Sequence, residues 1–173
     1  MKQGILLLTV GIMLLAGCSS VPTKDIQIET QVSPRTNFKA YKTYSWLGTA
    51  EIVNDPLGQW EPPAFDADTE IKYLIDRELR KRGMSENAAN PDLIVAFGVG
   101  VKMRALKFKQ DPETMMLENV PIGGLVVAFL DPSTDFALWA GTATAELMEE
   151  PDMKTSKARL DYVVTQMLKD WPE

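Results

Sequence analysis

The pattern of apolar and polar positions divides the chain into strands and helices. Alternation with a period of two residues predicts strands over residues 26–31, 41–46 and 93–103. Residues 124–130 and 136–145 predict two more strands, joined by the turn-forming sequence Asp-Pro-Ser-Thr-Asp. The longest strand places one set of apolar side chains on a single face: Leu93, Val95, Phe97, Val99, Val101 and Met103.

Apolar residues at helical spacing predict two helices. The first covers residues 66–82, with acidic residues in its first turn, basic residues in its last turn and Gly83 after it. Its apolar face consists of Ile71, Leu74, Ile75 and Leu79. The second helix ends at Pro172, and its apolar face consists of Leu160, Val163, Val164, Met167, Leu168 and Trp171.

The order of these elements is β, β, α, β, β, β, α. This order predicts an α+β fold, with a mostly antiparallel sheet of about five strands and two helices packed on one face. Residues 47–64, which are rich in glycine and proline, and residues 104–122 are predicted to be loops. The predicted core combines both helices with the long strand: Leu74, Ile75, Leu79, Val95, Phe97, Val163, Met167 and Leu168.

The first eighteen residues have the form of a bacterial lipoprotein signal. Lys2 is followed by an apolar run over residues 5–15, and the sequence Leu15-Ala16-Gly17-Cys18 places small residues before the only cysteine. Such a segment is processed rather than folded. We therefore expect residues 1–17 to be cleaved, Cys18 to carry the covalent lipid, residues 18–24 to form a tether, and residues 25–173 to form a single α+β domain.

The lipid on Cys18 predicts the location of the protein. Several acyl chains at about 0.8 kcal/mol per buried methylene give stable membrane anchoring. Ser19 follows the cysteine, where an Asp would favour retention in the inner membrane of a Gram-negative bacterium. For a Gram-negative source, we expect the domain to be anchored at the periplasmic face of the outer membrane.

The composition argues against several functions. The net charge of −6 makes the chain a poor candidate for binding nucleic acid. The sequence contains no histidine, which is the usual general base and the commonest metal ligand. Acylation of Cys18 would also leave no free thiol. We therefore expect a protein that is not an enzyme and that has no cofactor besides its covalent lipid.

Two groups of acidic residues are candidate sites. Asp66, Asp68 and Glu70 could bind Ca²⁺, but their spacing lacks the glycine and the later glutamate of an EF-hand loop, and capping of the first helix explains them better. A second group could pair with other carboxylates for acid–base hydrolysis of a glycan, although consecutive acids beside a proline are more typical of a solvated loop. Its members are Glu149, Glu150 and Asp152.

The predicted loop over residues 104–122 contains the candidate surface for a protein partner. Lys107 and Lys109 precede the apolar residues Met115, Met116 and Leu117. Basic residues would assist the encounter with an acidic partner, and apolar residues would slow its departure. The alternative is a lid, in which the methionines fold back over the sheet. Both interpretations stay open at this level.

Short motifs along the chain resemble the DUF4136 family of bacterial lipoproteins of unknown function. They are Tyr-Lys-Thr-Tyr-Ser-Trp at 41–46, Leu-Arg-Lys-Arg-Gly at 79–83, Asn-Pro-Asp-Leu-Ile-Val at 90–95, Gly-Leu at 124–125, Leu-Trp-Ala-Gly at 138–141 and Trp-Pro at 171–172. Together they span residues 26–172. The resemblance implies a small α+β domain on a lipid anchor, and it implies no catalytic residue.

Three functions follow as hypotheses. The first is a non-enzymatic envelope lipoprotein that binds a protein partner. The second is a carrier of a lipid or small ligand, whose pocket would form between the strand face bearing Gly98 and Gly100 and the methionine-containing loop. The third is a carboxylate-based hydrolase of an envelope polymer.

Overall fold

The structure is a computed structural model, and it describes residues 21–34, 36–54, 61–108, 117–134, 136–148, 152–169 and 171–172. The elements in chain order are β1 (Gln27–Val32), a 3-10 turn (Phe38–Ala40), β2 (Thr43–Asn54), α1 (Ala67–Lys81), β3 (Ser85–Glu86), β4 (Leu93–Phe108), β5 (Leu117–Leu130), β6 (Ala137–Glu146) and α2 (Met153–Lys169).

The strands form one mixed sheet in the order β1-β6-β5-β4-β2-β3. The pairs β1–β6, β6–β5 and β5–β4 are antiparallel, whereas β2 runs parallel to both β3 and β4. The predicted α+β class is confirmed, but the prediction of a mostly antiparallel sheet of about five strands is wrong. The described sheet has six strands and is mixed because α1, between β2 and β4, provides the crossover that a parallel pair needs.

The second strand is longer than its sequence indicates. Strand β2 continues through the start of the predicted loop 47–64 and reaches Asn54, which pairs with Lys102 of β4. A register shift between Trp46 and Gly48 interrupts the pairing, and Gly48 has a φ of +136°. This bulge breaks the two-residue alternation without ending the strand, so the pattern alone placed the strand end too early.

The predicted loop over residues 104–122 is also mostly strand. Strand β4 extends to Phe108 and β5 begins at Leu117, so that only residues 109–116 lie outside the described residues. The pairing shifts register between Ala105 and Lys107, which again interrupts the alternation. The prediction of a loop over residues 104–122 is therefore wrong, because most of these residues belong to β4 and β5, which pair with each other.

Both helices begin with the same local motif. Asp66 accepts hydrogen bonds from the Thr69 backbone N–H at 3.0 Å and the Thr69 hydroxyl at 2.7 Å. Before α2, Asp152 accepts the same two bonds from Thr155, at 2.9 and 2.7 Å. An aspartate at this position satisfies backbone donors that have no partner within the helix. The sequence Asp-x-x-Thr thus fixes both helix starts, and α2 begins at Met153, before its apolar face.

The two helices cover one face of the sheet and bury a single core. All eight predicted core residues are buried in it, together with residues of β5 and β6. Four aromatic rings close one end of this core. Trp171 packs edge-on against Phe38 at a centroid distance of 4.7 Å and against Phe129 at 4.6 Å, and it lies 6.0 Å from Trp139. Trp171 follows α2 and therefore fixes the end of that helix against the sheet.

Candidate functional site

An ion pair joins the N-terminal segment to the domain. Arg159 of α2 contacts the two carboxylate oxygens of Asp25 at 2.5 and 3.0 Å, and it also donates to the backbone carbonyl of Pro22. Asp25 in turn accepts a hydrogen bond from the Glu146 backbone N–H at 3.1 Å. The hydrogen bond from Arg159 holds the pKa of Asp25 below its ordinary value. The chain therefore enters the domain beside the end of β6.

The described residues begin at Val21, three positions after the predicted lipid attachment site. Cys18 lies outside the described residues, and lipidation there stays a prediction. Among the residues that are described, neither helix has the length and apolar character that crossing a bilayer would require.

Strands β4 and β5 project beyond the rest of the sheet at this same end. The last pairings with the neighbouring strands are Asn54 with Lys102 and Ile122 with Glu146. Beyond them, residues 103–108 and 117–121 pair only with each other within the described chain. We call this two-stranded ribbon the β4–β5 arm. Six residues at about 3.3 Å each give it a length of about 20 Å.

The arm contains two of the five residues predicted to contact a partner, Lys107 and Leu117. Lys107 lies opposite Glu118, and Leu117 lies opposite Phe108, at the last described pairing of the ribbon. Lys109, Met115 and Met116 belong to residues 109–116, outside the described residues. The structure thus places Lys107 and Leu117 on neighbouring strands, and the choice between a partner surface and a lid stays open.

The first acidic group is occupied by structural contacts. Asp66 caps α1, Asp68 accepts a hydrogen bond from the Thr49 hydroxyl at 2.9 Å, and Glu70 pairs with Lys157 of α2 at 2.6 Å. The three carboxylates therefore have separate partners, and capping explains Asp66, whereas Asp68 and Glu70 contact other elements. No group of three or more acidic, histidine or cysteine side chains among the described residues could hold a metal ion.

In the second acidic group, Asp152 is also engaged in a structural contact. Asp152 is committed to capping α2, and the hydrogen bonds from Thr155 hold its pKa below the ordinary value for Asp. A general acid needs the opposite shift, toward a raised pKa. Glu149 and Glu150 lie outside the described residues.

The strand face bearing Gly98 and Gly100 is only partly exposed among the described residues. Gly98 pairs with Val126, whose side chain is 47% exposed, and Gly100 pairs with Gly124. This face lies opposite to the one that the helices cover. The pocket expected for a ligand carrier would have to form on this side of the sheet.

The sequence patterns missed a groove at the other end of the sheet. It has a volume of about 440 Å³ and lies where the 3-10 turn, the end of α1 and the end of the chain meet. We call it the distal groove. Its lining residues are Phe38, Lys39, Tyr41, Lys42, Lys81, Arg82, Met84, Trp171 and Pro172. Among the described residues, the lining includes four basic side chains and no acidic one, although the chain as a whole has a net charge of −6. Burial, with the nearby carboxylates of Asp131 and Asp92, raises the pKa of the lining residue Tyr41.

Two of these basic side chains, Lys81 and Arg82, form ion pairs within the domain. Glu78, which is 4% exposed, contacts Lys81 at 2.8 Å and Arg82 at 3.4 Å, and Arg77 reaches it at 2.9 Å. Burial alone would raise the pKa of Glu78, but the hydrogen bonds from Lys81 and Arg77 outweigh it and lower the pKa. Arg82 also donates to the Leu168 carbonyl and so links the ends of the two helices.

The other two basic side chains are available. Lys39 and Lys42 are exposed, and neither ammonium group has an acidic partner among the described residues. The hydrogen bonds of Lys42 involve its backbone, whose N–H donates to Asp92 at 2.8 Å and whose carbonyl accepts from the Ser85 N–H at 3.0 Å. The sequence signal for this groove was weak, because isolated surface lysines are common and nothing local brings them to Trp171.

The architecture defines the class of protein as a small two-layer α+β domain, with the N-terminal segment and a projecting arm at one end and a basic groove at the other. The chain belongs to the family described as "Domain of unknown function (DUF4136)", which it matches over residues 28–173. The resemblance seen in the short motifs is thereby confirmed. No curated protein is significantly similar to the chain in sequence.

Several solved structures share the fold. A DUF4136 family protein from Bacteroides thetaiotaomicron has a TM-score of 0.53 at 12% identity, covering 84% of this chain and 95% of its own. A PDZ domain protein from Parabacteroides distasonis has a TM-score of 0.50 at 16% identity and covers 86% of this chain, which spans only 37% of that protein. A minor lipoprotein from Acinetobacter baumannii has a TM-score of 0.37 at 12% identity, covering 75% of this chain and 91% of its own, which is too distant to support a conclusion.

Proposed function

We propose that this chain is a non-enzymatic envelope lipoprotein, anchored by lipid on Cys18 at the periplasmic face of the outer membrane, which binds a protein partner through the β4–β5 arm. The main support is the position of the arm beside the entry of the N-terminal segment, at the end of β6. The lipoprotein signal in residues 1–18 supports the anchor, and the family assignment offers no catalytic role.

A short tether supports a position of the arm near the membrane. Val21 lies three positions after Cys18, and an extended chain covers at most about 3.6 Å per residue, so a lipid on Cys18 would hold the domain within roughly 10 Å. The arm leaves the sheet at the same end and is about 20 Å long. A partner of the arm is therefore a protein in or at the same membrane.

An isolated two-stranded ribbon is marginally stable in water, because it has no second layer on which to bury apolar side chains. The arm, whose strands pair only with each other among the described residues, would gain such a layer by docking onto a partner. The sequence of the arm and of residues 109–116, which connect its two strands in the chain, suits this role, since Lys107 and Lys109 would assist the encounter and Met115, Met116 and Leu117 would adapt to an apolar surface.

Crosslinking in intact cells tests the proposed contact. A photoreactive amino acid at position 107 should give a discrete crosslinked protein species after illumination. The matched control places the same group at Tyr73, which lies on α1 and is 60% exposed, and it should give no such species. Crosslinks from position 107 to lipid alone, or equal protein crosslinks from both positions, would contradict partner binding by the arm.

Membrane fractionation tests the anchor separately. Cys18→Ser should abolish acylation and release the domain from membranes, and Ser19→Asp should move the lipidated protein to the inner membrane of a Gram-negative host. The anchor would not be lipid alone if the Cys18→Ser protein stayed membrane-bound after a high-salt wash. Finding the unaltered protein mainly in inner-membrane fractions would contradict the proposed location.

A further inference from the structure

We propose that the distal groove binds a carboxylate-bearing saccharide, of the kind that makes up the glycan of the bacterial cell wall. The inference goes beyond the proposed function, on which it rests only for the orientation of the groove in the cell. Three observations carry it: the available charge in the groove, its aromatic border, and its position relative to the anchor.

The charge of the groove suits an anion. Lys81 and Arg82 are held by Glu78, so they provide positive potential but are not free to move. Lys39 lies within the 3-10 turn and Lys42 just after it, and both side chains are exposed. Neither ammonium group has an acidic partner among the described residues. Lysine ammonium groups act as mobile point charges, which suits a single carboxylate more than a planar bidentate contact.

The border of the groove suits a sugar ring. Trp171 and Tyr41 are partly exposed, and Trp171 is held in place by edge contacts with Phe38 and Phe129. The face of an aromatic ring carries partial negative charge and attracts the polarised C–H groups on the face of a sugar ring. The volume of about 440 Å³ lies within the roughly 300–1,000 Å³ typical of small-molecule sites.

The position of the groove distinguishes between two sources of an anionic ligand, the anchoring membrane and a polymer in the periplasm. Strand β1 enters the sheet with Gln27 opposite Thr144, near the anchor, and ends with Val32 opposite Trp139, near the groove. The groove therefore lies at the end of the domain that faces away from the lipid on Cys18. Headgroups of the anchoring membrane cannot reach it, whereas a polymer deeper in the periplasm can.

Titration of the lipidated full chain in detergent micelles tests the inference. The probe is the disaccharide of N-acetylglucosamine and N-acetylmuramic acid, which carries a carboxylate on its lactyl group. The matched neutral ligand is diacetylchitobiose, which has two similar rings and no carboxylate. We expect the acidic disaccharide to change the fluorescence of the groove tryptophan, Trp171, and the neutral one to bind much more weakly. Added salt should weaken binding of the acidic ligand, because the contact is electrostatic.

Paired charge variants separate the groove from general surface charge. Lys39→Gln with Lys42→Gln should raise the Kd by about tenfold or more, as expected when charge-assisted hydrogen bonds are lost. Lys24→Gln with Lys154→Gln removes the same charge from two exposed lysines at the anchor end and should leave the Kd nearly unchanged. All four lysines are exposed, so the melting temperature of both double variants should match the wild type.

Several results would overturn the inference. They are the absence of binding by the acidic disaccharide at low salt, equal affinity for the neutral disaccharide, or an unchanged Kd in the Lys39→Gln, Lys42→Gln variant. Binding only of the wall peptide, without sugar, would assign the groove to peptide carboxylates and would also contradict the proposal. The proposed membrane location could fail by fractionation while this titration succeeded, so the two failures are distinguishable.

Discussion

At the scale of single residues, Gly141 shows how closely β6 and α2 approach each other. A Cβ atom added at Gly141 would lie 2.5 Å from Cγ of Met167 and 2.6 Å from an atom of the Trp139 ring. Met167 and Trp139 are both buried, so neither can move aside into solvent. The glycine is therefore required by packing, and not by its backbone angles.

We expect Gly141→Ala to destabilise the fold by about 1–3 kcal/mol, the usual cost of overpacking a core. The measurement is the free energy of unfolding in urea. Gly124→Ala on the neighbouring strand is the matched control, because a Cβ there would meet its nearest atom at 3.8 Å, which is ordinary contact. Equal losses of unfolding free energy for the two substitutions would show that the close approach at Gly141 is not the cause of the destabilisation.

The ion pair of Asp25 predicts a pH dependence. Its pKa is lowered in the folded state, so the stabilisation is present above the ordinary pKa of Asp, about 4, and is lost as the pH falls through the lower folded value. We expect Asp25→Asn to cost about 1.5–3 kcal/mol near neutral pH, as for a hydrogen bond to a charged group. The difference in unfolding free energy between wild type and variant should shrink below about pH 4. A difference independent of pH would contradict an ionic contact with Arg159.

At the scale of elements, the end of α1 is built around one glycine. Gly83 has a φ of +77°, its N–H donates to the Arg80 carbonyl at 2.9 Å, and the Met84 N–H donates to the Leu79 carbonyl at 3.1 Å. These two bonds form the Schellman motif, and Leu79 and Met84 are both buried beside it. The sequence Arg-Gly-Met at 82–84 therefore ends the helix where the pattern predicted.

We expect Gly83→Ala to cost about 1 kcal/mol in urea unfolding, because a side chain disfavours positive φ. A Cβ at this position meets no atom within 4 Å, so the cost comes from the backbone alone. Gly83→Asn should cost less, since Asn adopts this conformation more readily. Similar losses for Ala and Asn would indicate a steric cause instead.

At the scale of the whole molecule, the two ends of the sheet differ in what they present. The N-terminal segment and the β4–β5 arm share one end, and the distal groove occupies the other. A domain held by lipid on Cys18 would thus present its arm to the membrane and its groove to the periplasm. The two proposed binding surfaces are far enough apart that a substitution in one should leave the other intact.

We expect the arm to be dispensable for folding. Replacing residues 103–121 by an Asn-Gly turn would join Lys102 and Ile122, which already face each other across β4 and β5. The melting temperature should stay within about 2 °C of the wild type, since the deleted strands pair only with each other among the described residues. The shortened protein should lose its membrane partner yet keep its affinity for the acidic disaccharide. A large fall in melting temperature would place the arm in the core.

The sequence determined those features that depend on neighbouring residues. Asp66 and Asp152 start the helices, Gly83 ends α1, and the alternation from Leu93 to Val101 chooses the buried face of β4, because capping, turn geometry and side-chain direction act within a few positions. The lipid signal and the absence of histidine are likewise local or compositional. They directed the functional interpretation toward an anchored, non-enzymatic protein.

Tertiary structure decided what depends on residues far apart in the chain. The parallel pairing of β2 with β4, the extension of both strands past their bulges, and the length of the arm follow from partners that a linear pattern does not contain. The distal groove has the same origin, since Lys39 and Trp171 meet only after α2 has packed beside the 3-10 turn. Local sequence selects a conformation residue by residue, whereas strand partners and surface sites are selected by the packing of the whole core.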